Sequence, residues 1–322
     1  MTVYPNFFLV GAARAGTTSL WQYLRAHPDI YMPAALHGKE PSFFCDLTPP
    51  WARQHRTLDA YLALFQGAGR RRRIGDASTN YLVSPESPRR IAEQFPDAKI
   101  LVILRNPADR AYSLYRLLCY WGLETATPFE KALALEEKRS RDDGFRRKWE
   151  LLSQAFFYCR SGFYSEQIQR YFDAFPREQV HVLLYDDLKH AALETVQNVY
   201  RFLEVDAEFE PELGVHNQSN YPLSVRLQSF IASRWHAHPL RPSQPVRRRD
   251  TLHFPVLFGI NTLLGQYRKE RLRPETRRAL IERFRPDIAK TAVLIGRNLD
   301  GWLQERSRAG TREPASAMVH AG

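Results

Sequence analysis

A glycine-containing segment near the amino terminus has the residue types and spacing of an anion-binding loop. From Gly11 to Ser19 it reads Gly-Ala-Ala-Arg-Ala-Gly-Thr-Thr-Ser, with two glycines five positions apart and three hydroxyl residues after the second. Between a strand and a helix, the backbone N–H groups of such a loop converge on an anion, and the helix dipole adds partial positive charge. ATP-binding loops carry lysine where this chain has Thr17, and the cation lies inside the loop instead, at Arg14. Alone, the segment also fits a strand-to-helix turn that binds nothing.

A second motif pairs a cation with a hydroxyl group. Arg105 follows an apolar run, and Ser113 comes eight residues later. Asn106 and Pro107 predict the start of a helix, because asparagine caps N–H groups and proline lacks an N–H that would be unpaired there. Ser113 then falls on the second turn, where it and Arg105 can converge on one phosphate. Arg110 is either a further ligand or a solvated surface residue.

The third motif holds a candidate base. Residues 39 to 44 read Lys-Glu-Pro-Ser-Phe-Phe. Partial burial of Glu40 beside the two phenylalanines would suit proton abstraction, although an isolated glutamate is more often a surface acid. Lys39 is either an anion contact or a solvated side chain.

Together these motifs resemble the sulfotransferases that use 3′-phosphoadenosine 5′-phosphosulfate (PAPS). That family has a phosphosulfate loop of the form G-x-x-[KR]-x-G-T-[TS] and a 3′-phosphate site with an arginine and a serine eight residues apart. Heparan-sulfate-type members and many bacterial relatives also carry E-x-x-F-F. The chain is therefore identified as a bacterial member that resembles the heparan-sulfate-type domain, over about residues 6–303.

The resemblance implies a role for each motif. Glu40 would be the general base that deprotonates the acceptor, and Arg14 would assist the departure of the phosphate. PAPS would be the co-substrate, and no metal is expected, since a sulfuryl group carries less charge than a phosphoryl group. The implied PAPS ligands are Arg14, Ala15, Gly16, Thr17, Thr18 and Ser19 in the loop, with Arg105 and Ser113 at the 3′-phosphate.

Two positions depart from the heparan-type pattern. The lysine of the family's E-K-[ST] segment is Ala77 here, and the acid after F-F is Cys45. Both changes fall on the acceptor side, so the resemblance implies the donor and leaves the acceptor open. A hydroxyl or amine of a carbohydrate, lipid or natural product would serve, and an acidic acceptor is one candidate.

The elements that must position these residues alternate between strands and helices. Short apolar runs predict strands at 6–10, 98–104 and 179–184, and helical patterns follow at 163–174, 189–203 and 274–302. Such alternation predicts an α/β fold with a mostly parallel sheet covered by helices. By resemblance this is the P-loop-NTPase-like sheet of the sulfotransferases.

The expected organisation is one domain over residues 1–303, with a disordered tail at 304–322. Residues 123–160 should be mainly helical and residues 236–255 irregular. No internal repeat and no clear linker divides the chain.

Composition limits the function classes. With 322 residues, 44% hydrophobic residues and a net charge of +11, the chain is a folded protein that favours an anionic partner. One competing hypothesis is a P-loop phosphoryl-transfer enzyme. Another is a basic polyanion-binding protein that uses Arg70–Arg73 and Arg247–Arg249, although no nucleic-acid motif accompanies these runs and no specific nucleic acid is predicted.

The cysteine count and the hydropathy pattern indicate a location. The three cysteines have no zinc-ligand spacing, and reduced thiols are expected. No run approaches the roughly 18 apolar residues that a membrane span requires. A cytoplasmic location is predicted, and the oligomeric state stays open.

Overall fold

Five parallel strands form the central sheet. The computed structural model describes residues 3–33, 39–47, 57–145, 154–214, 221–235, 259–261 and 272–304. The strands are β1 (Phe7–Gly11), β2 (Ile30–Tyr31), β3 (Arg73–Asp76), β4 (Lys99–Leu104) and β5 (Val180–Leu184). Their order across the sheet is β2-β3-β1-β4-β5, and every neighbouring pair is parallel. The predicted parallel sheet is confirmed.

The central strands are buried on both faces. Residues 7–10 of β1 and 100–104 of β4 are 0% exposed. A parallel strand covered on both faces requires a continuous apolar run, which explains why the sequence pattern located β1, β4 and β5. The predicted strands begin one residue too early, at 6, 98 and 179, and β1 extends one residue further, to Gly11.

Strands β2 and β3 were missed. The first has two residues, and the second reads Arg-Ile-Gly-Asp, so neither gives an apolar run. Hydrogen bonds to neighbours specify β3 instead: its Ile74 N–H donates to the side chain of Asn6, at 2.9 Å.

Helices flank the sheet, as predicted. In chain order they are α1 (Thr17–Ala26), α2 (Leu58–Leu62), α3 (Ser87–Gln94), α4 (Pro107–Tyr120), α5 (Phe129–Arg141), α6 (Tyr164–Ala174), α7 (Tyr185–His190), α8 (Ala192–Leu203), α9 (Val225–Trp235), α10 (Pro274–Ile295) and α11 (Asp300–Leu303). Helix α10 packs on α4 and α6, and α1 contacts α8.

The predicted helix over 274–302 is two helices. Helix α10 ends at Gly296, which has the left-handed conformation (φ 66°) that commonly ends helices. Within residues 123–160, α5 occupies Phe129–Arg141, and the prediction that the whole stretch is mainly helical stays a prediction. Residues 146–153, 236–258 and 305–322 lie outside the described part of the chain, so the predictions of an irregular stretch and a disordered tail stay predictions.

Part of the first arginine run has a structural role. The carboxylate of Glu204 accepts contacts from Arg72 (3.5 Å), Arg73 (2.5 Å) and Lys99 (3.0 Å). Arg73 is also bonded through Nε to the carbonyl of Leu203. Arg72 and Arg73 thus join the start of β3 to the end of α8. The second arginine run, residues 247–249, lies outside the described residues.

All three cysteines are buried free thiols. Among the described helices, none combines the length and apolar character required to cross a membrane.

Candidate active site

The three sequence motifs lie on the side of the sheet where its strands have their carboxyl ends. Strand β1 is central, and the chain runs from it through β2 and β3 on one side before it crosses to β4 on the other. In open α/β sheets ligands bind outside the carboxyl ends of the strands at such a switch point. The glycine loop follows β1, Arg105 follows β4, and residues 77–81 follow β3.

The glycine loop is a tight turn that leads directly into α1. Arg14 (φ 69°) and Gly16 (φ 96°) both have left-handed backbone conformations. A Cβ atom at position 16 would lie 2.9 Å from the ring of Tyr185, so glycine is required both by the conformation and by the close approach. Gly16 occupies the cap position and provides no side-chain cap to the first turn, which includes Thr17, Thr18 and Ser19. An uncapped helix N-terminus is a site for an anion.

Arg14 joins the loop to the second motif. Its Nε donates to Oγ of Ser113 at 3.1 Å, and Nη1 of Arg105 donates to the Arg14 carbonyl at 3.0 Å. Burial, with repulsion from Arg105 and Arg116, lowers the pKa of Arg14 to about 10. The guanidinium is therefore still charged at neutral pH. A bound anion would relieve the repulsion among these cations.

Helix α4 begins where the sequence predicted. The side chain of Asn106 accepts hydrogen bonds from the N–H groups of Ala108 (3.1 Å) and Asp109 (3.3 Å), and Pro107 opens the helix. This cap places Ser113 at the end of the second turn, close to Arg14.

Arg105 is fixed by two aromatic residues that sequence reasoning missed. Its guanidinium lies 4.6 Å from the ring centroid of Tyr185, and its carbonyl accepts a 2.9 Å hydrogen bond from the hydroxyl of Tyr164. Tyr185 directly follows β5, just as Arg105 directly follows β4. This position at the carboxyl end of a parallel strand is the sequence signal by which Tyr185 could have been assigned to the site.

The Glu40 carboxylate is held through both oxygens. Nζ of Lys39 lies 2.9 Å from Oε1, and the hydroxyl of Thr79 donates to Oε2 at 2.8 Å. The Glu40 side chain is 37% exposed. Its backbone N–H donates to the carbonyl of Ala77 at 3.1 Å, with φ at 63°. A non-glycine residue held in this conformation points to a functional position.

A buried polar network supports the Glu40 segment. Asp76, at the end of β3, accepts hydrogen bonds from Tyr61 (2.8 Å), Tyr81 (2.9 Å) and Ser78 (2.7 Å). Oγ of Ser78 in turn accepts the N–H of Ser42 at 3.0 Å. Burial raises the pKa of Asp76 to about 6, although its three hydrogen bonds act in the opposite direction.

The two phenylalanines after Glu40 are structural. Phe44 is buried and packs edge-to-face on Phe8 and Tyr61, at 6.1 and 5.4 Å between ring centroids. Phe43 stacks on Tyr61 at 4.7 Å. These contacts hold the segment on the core and leave the Glu40 side chain at the cavity.

One cavity of about 480 Å³ joins the glycine loop to Glu40. Its polar lining includes Arg14, Thr17, Thr18, Lys39, Glu40, Thr79, Asn80, Arg110, Gln154 and Ser161, and its apolar lining includes Val83, Leu114, Leu117, Leu118, Trp121 and Ala155. Ala15, Gly16, Ser19, Arg105 and Ser113 do not line it. Arg105 and Ser113 are hydrogen-bonded to Arg14, which does line the cavity.

The hypothesis that Arg110 is a solvated surface residue is wrong. The residue is 1% exposed, and its Nη2 donates to the carbonyl of Tyr158 (2.6 Å) and the hydroxyl of Ser161 (3.0 Å). It lines the cavity that contains Glu40. Its burial depends on residues about 50 positions away, which explains why no local pattern revealed it.

Within the part of the chain that the structure describes, no group of three or more His, Cys, Asp or Glu side chains could hold a metal ion.

Comparison with known proteins places this site in a family. The model of the sulfotransferase domain matches residues 4–221. The heparan sulfate glucosamine 3-O-sulfotransferase 6 of Mus musculus is 31% identical over 275 residues, covering 82% of this chain and 72% of that protein. The Mus musculus bifunctional heparan sulfate N-deacetylase/N-sulfotransferase 3 is 28% identical over 209 residues, 64% of this chain but 23% of that longer protein.

A solved structure agrees. The crystal structure of a sulfotransferase from Alicyclobacillus acidocaldarius superposes with a TM-score of 0.70 at 31% identity, covering 94% of this chain and 100% of that one.

Proposed function

The chain belongs to the sulfotransferase domain family and is a sulfotransferase, and from this premise we propose that it transfers a sulfuryl group from PAPS to a hydroxyl or amine group, with Glu40 as the general base. The observation that carries the proposal is the cavity that joins the Arg14 loop to Glu40. Both halves of a transfer reaction would meet there: the donor at the loop and the acceptor at the carboxylate.

The residues of the loop region fit a polyanionic donor. Arg105 and Arg116 both lie close enough to repel Arg14, and after burial this repulsion contributes to the lowered pKa of Arg14. The first turn of α1, Arg14, Thr17 and Thr18 would hold the phosphosulfate, and Arg105 and Ser113 the 3′-phosphate. PAPS supplies the sulfuryl group, and the residues of this chain bind and orient it.

Glu40 would take the proton of the acceptor hydroxyl or amine. Lys39 and Thr79 hold its two oxygens, so the carboxylate has a fixed direction before the acceptor binds. A base held in one orientation needs no reorganisation in the transition state, which is the source of its catalytic advantage.

Arg14 and the hydroxyls of Thr17 and Thr18 would stabilise the negative charge on the departing phosphate oxygen. Losing one preorganised donor of this kind typically lowers the rate by about 10² to 10³. A phosphoryl-transfer enzyme of the P-loop class would need a lysine at the position of Thr17.

We also propose a single domain over residues 1–303 and a cytoplasmic location. Three buried free thiols accord with a reducing compartment. The two mouse relatives act on heparan sulfate, as their names state. A glycan is therefore among the acceptor classes to test.

The decisive experiment is transfer of ³⁵S from labelled PAPS to a panel of hydroxyl and amine acceptors, with products identified by mass. PAP binding is measured first by calorimetry, with ATP and Mg²⁺ as the comparison ligand. We expect PAP to bind without metal and label to appear on an acceptor. Binding of Mg²⁺–ATP without binding of PAP would overturn the proposal and favour phosphoryl transfer.

A further inference from the structure

Arg110 is a buried cation with unused hydrogen-bond donors. It is 1% exposed, and its Nη2 atom donates to Tyr158 and Ser161. Among the residues that the structure describes, neither its buried Nε nor its Nη1 has a hydrogen-bond partner. Its two partners are a carbonyl and a hydroxyl, so no described carboxylate neutralises it. A buried guanidinium without a counter-ion is costly, so an external anion at this position would be strongly favoured.

Arg110 begins a row of side chains along one face of α4. Leu114, Leu117, Leu118 and Trp121 follow at spacings of four, seven, eight and eleven residues, and all five line the Glu40 cavity. Positions at these spacings share one helix face. Because a helix rises 1.5 Å per residue, the row is about 16 Å long. It is charged at the end near the sheet and apolar over the rest.

The donor site already has its own cations. Arg14 is hydrogen-bonded to both Ser113 and Arg105, whereas Arg110 is held by Tyr158 and Ser161. The charge of Arg110 is therefore available to the other occupant of the cavity.

We propose that Arg110 binds an anionic group of the acceptor, a carboxylate or a sulfate, while an apolar part of the acceptor packs on Leu114, Leu117 and Leu118. The acceptor is then an amphipathic acid that presents its hydroxyl or amine to Glu40. This inference rests on the proposed function, which assigns this part of the cavity to the acceptor. A wholly polar acceptor would make no apolar contact with Leu114, Leu117 and Leu118.

The test uses the full chain saturated with PAP and three simple probes: octanoate, methyl octanoate and acetate. Calorimetry should give octanoate an affinity at least tenfold higher than that of methyl octanoate, which lacks the charge, and of acetate, which lacks the apolar part. Arg110→Gln should reduce octanoate affinity to that of the ester and leave PAP affinity within about twofold. Leu117→Ala should weaken octanoate but preserve the preference for it over methyl octanoate.

Two variants separate charge from structure. Ser161→Ala removes one partner of Arg110 but keeps its charge, and should retain the preference for octanoate. Arg110→Lys keeps a cation and should retain part of the preference. Because the preference is first measured on the unaltered protein, the proposal stays testable even where Arg110→Gln does not fold.

Three results would overturn the inference: no preference for octanoate in the unaltered protein, an unchanged preference in Arg110→Gln, or loss of PAP affinity in Arg110→Gln with octanoate binding intact. The last result would make Arg110 a donor ligand. Failure of PAP to bind the unaltered protein would instead contradict the proposed function, and it is detected before any probe is added.

Discussion

The hydroxyl of Thr79 donates a 2.8 Å hydrogen bond to the Glu40 carboxylate across 39 positions of sequence. Thr79 follows β3, and the N–H of Glu40 is bonded to Ala77, two residues before it. The candidate base is therefore oriented by the same short segment after β3 that holds its backbone. Its direction depends on the position of β3 in the sheet.

Glu40→Gln should abolish proton abstraction and leave the donor site intact. We expect the single-turnover rate of sulfuryl transfer to fall by about 10² to 10⁴, the usual contribution of a positioned base. PAP affinity, measured by calorimetry, should stay within about twofold. The matched control is Glu93→Gln, an exposed carboxylate on α3 that pairs with Arg89. Normal turnover by Glu40→Gln would disprove the assignment of the base.

Arg105→Ala should weaken donor binding. A charge-assisted hydrogen bond contributes about 1.5 to 3 kcal/mol, so PAP affinity should fall by roughly 10- to 100-fold. The loss should be smaller at high ionic strength, because salt weakens the attraction between Arg105 and the phosphate in the unaltered protein. Arg89→Ala removes an exposed arginine and is the control. Equal PAP affinity in the two variants would show that Arg105 does not bind the donor.

Gly16→Ala and Gly296→Ala form a matched pair. Both glycines have left-handed backbone conformations, with φ at 96° and 66°, but a Cβ at position 296 meets nothing within 4 Å, whereas one at position 16 meets Tyr185. Left-handed alanine costs about 1 to 2 kcal/mol, so urea unfolding should show that loss for Gly296→Ala. Gly16→Ala should lose more stability and at least tenfold in PAP affinity. Unaltered PAP affinity in Gly16→Ala would show that the loop conformation is not needed for binding.

Asp76 should make stability depend on pH. Burial raises its pKa from the ordinary value of 3.8 to about 6, so between these values the folded protein holds a proton that the unfolded chain releases. The free energy of unfolding should therefore fall as pH rises from about 4 to 6 and then level off. A two-unit shift corresponds to about 3 kcal/mol.

The check is urea unfolding of the unaltered protein and of Asp76→Asn between pH 4 and 7.5. The variant lacks the titrating group, so the difference between the two proteins should change across this window and be constant above pH 7. A difference that is constant at every pH would mean that Asp76 is ionised to the same extent in both states.

The features that sequence predicted are those that local chemistry determines. The start of α4 follows from Asn106 and Pro107, because a cap and a helix-opening proline act within one turn. The buried strands β1 and β4 follow from their apolar runs. The family resemblance paired Ser113 with Arg105, whereas in the structure the Ser113 hydroxyl accepts a hydrogen bond from Arg14, and no sequence pattern predicted that contact.

The features that sequence missed depend on distant partners. Strand β3 is short and charged at both ends, and its role is evident only through the bonds that Asp76 and Ser78 make to other segments. Arg110 resembles a surface arginine until Tyr158 and Ser161 are placed beside it. No pattern of neighbouring residues carries this information.

On the two proposals above, helix α4 would contact both substrates through different parts of its surface. At about 100° per residue, Ser113 lies about 85° and Arg116 about 145° around the helix from the centre of the row that begins at Arg110. If both proposals hold, substitutions of Leu114, Leu117 and Leu118 would change which acceptor binds and leave the donor ligands in place. The helix would then separate acceptor choice from donor binding, so enzymes with new acceptors could be obtained by altering one row of side chains on a single rigid element.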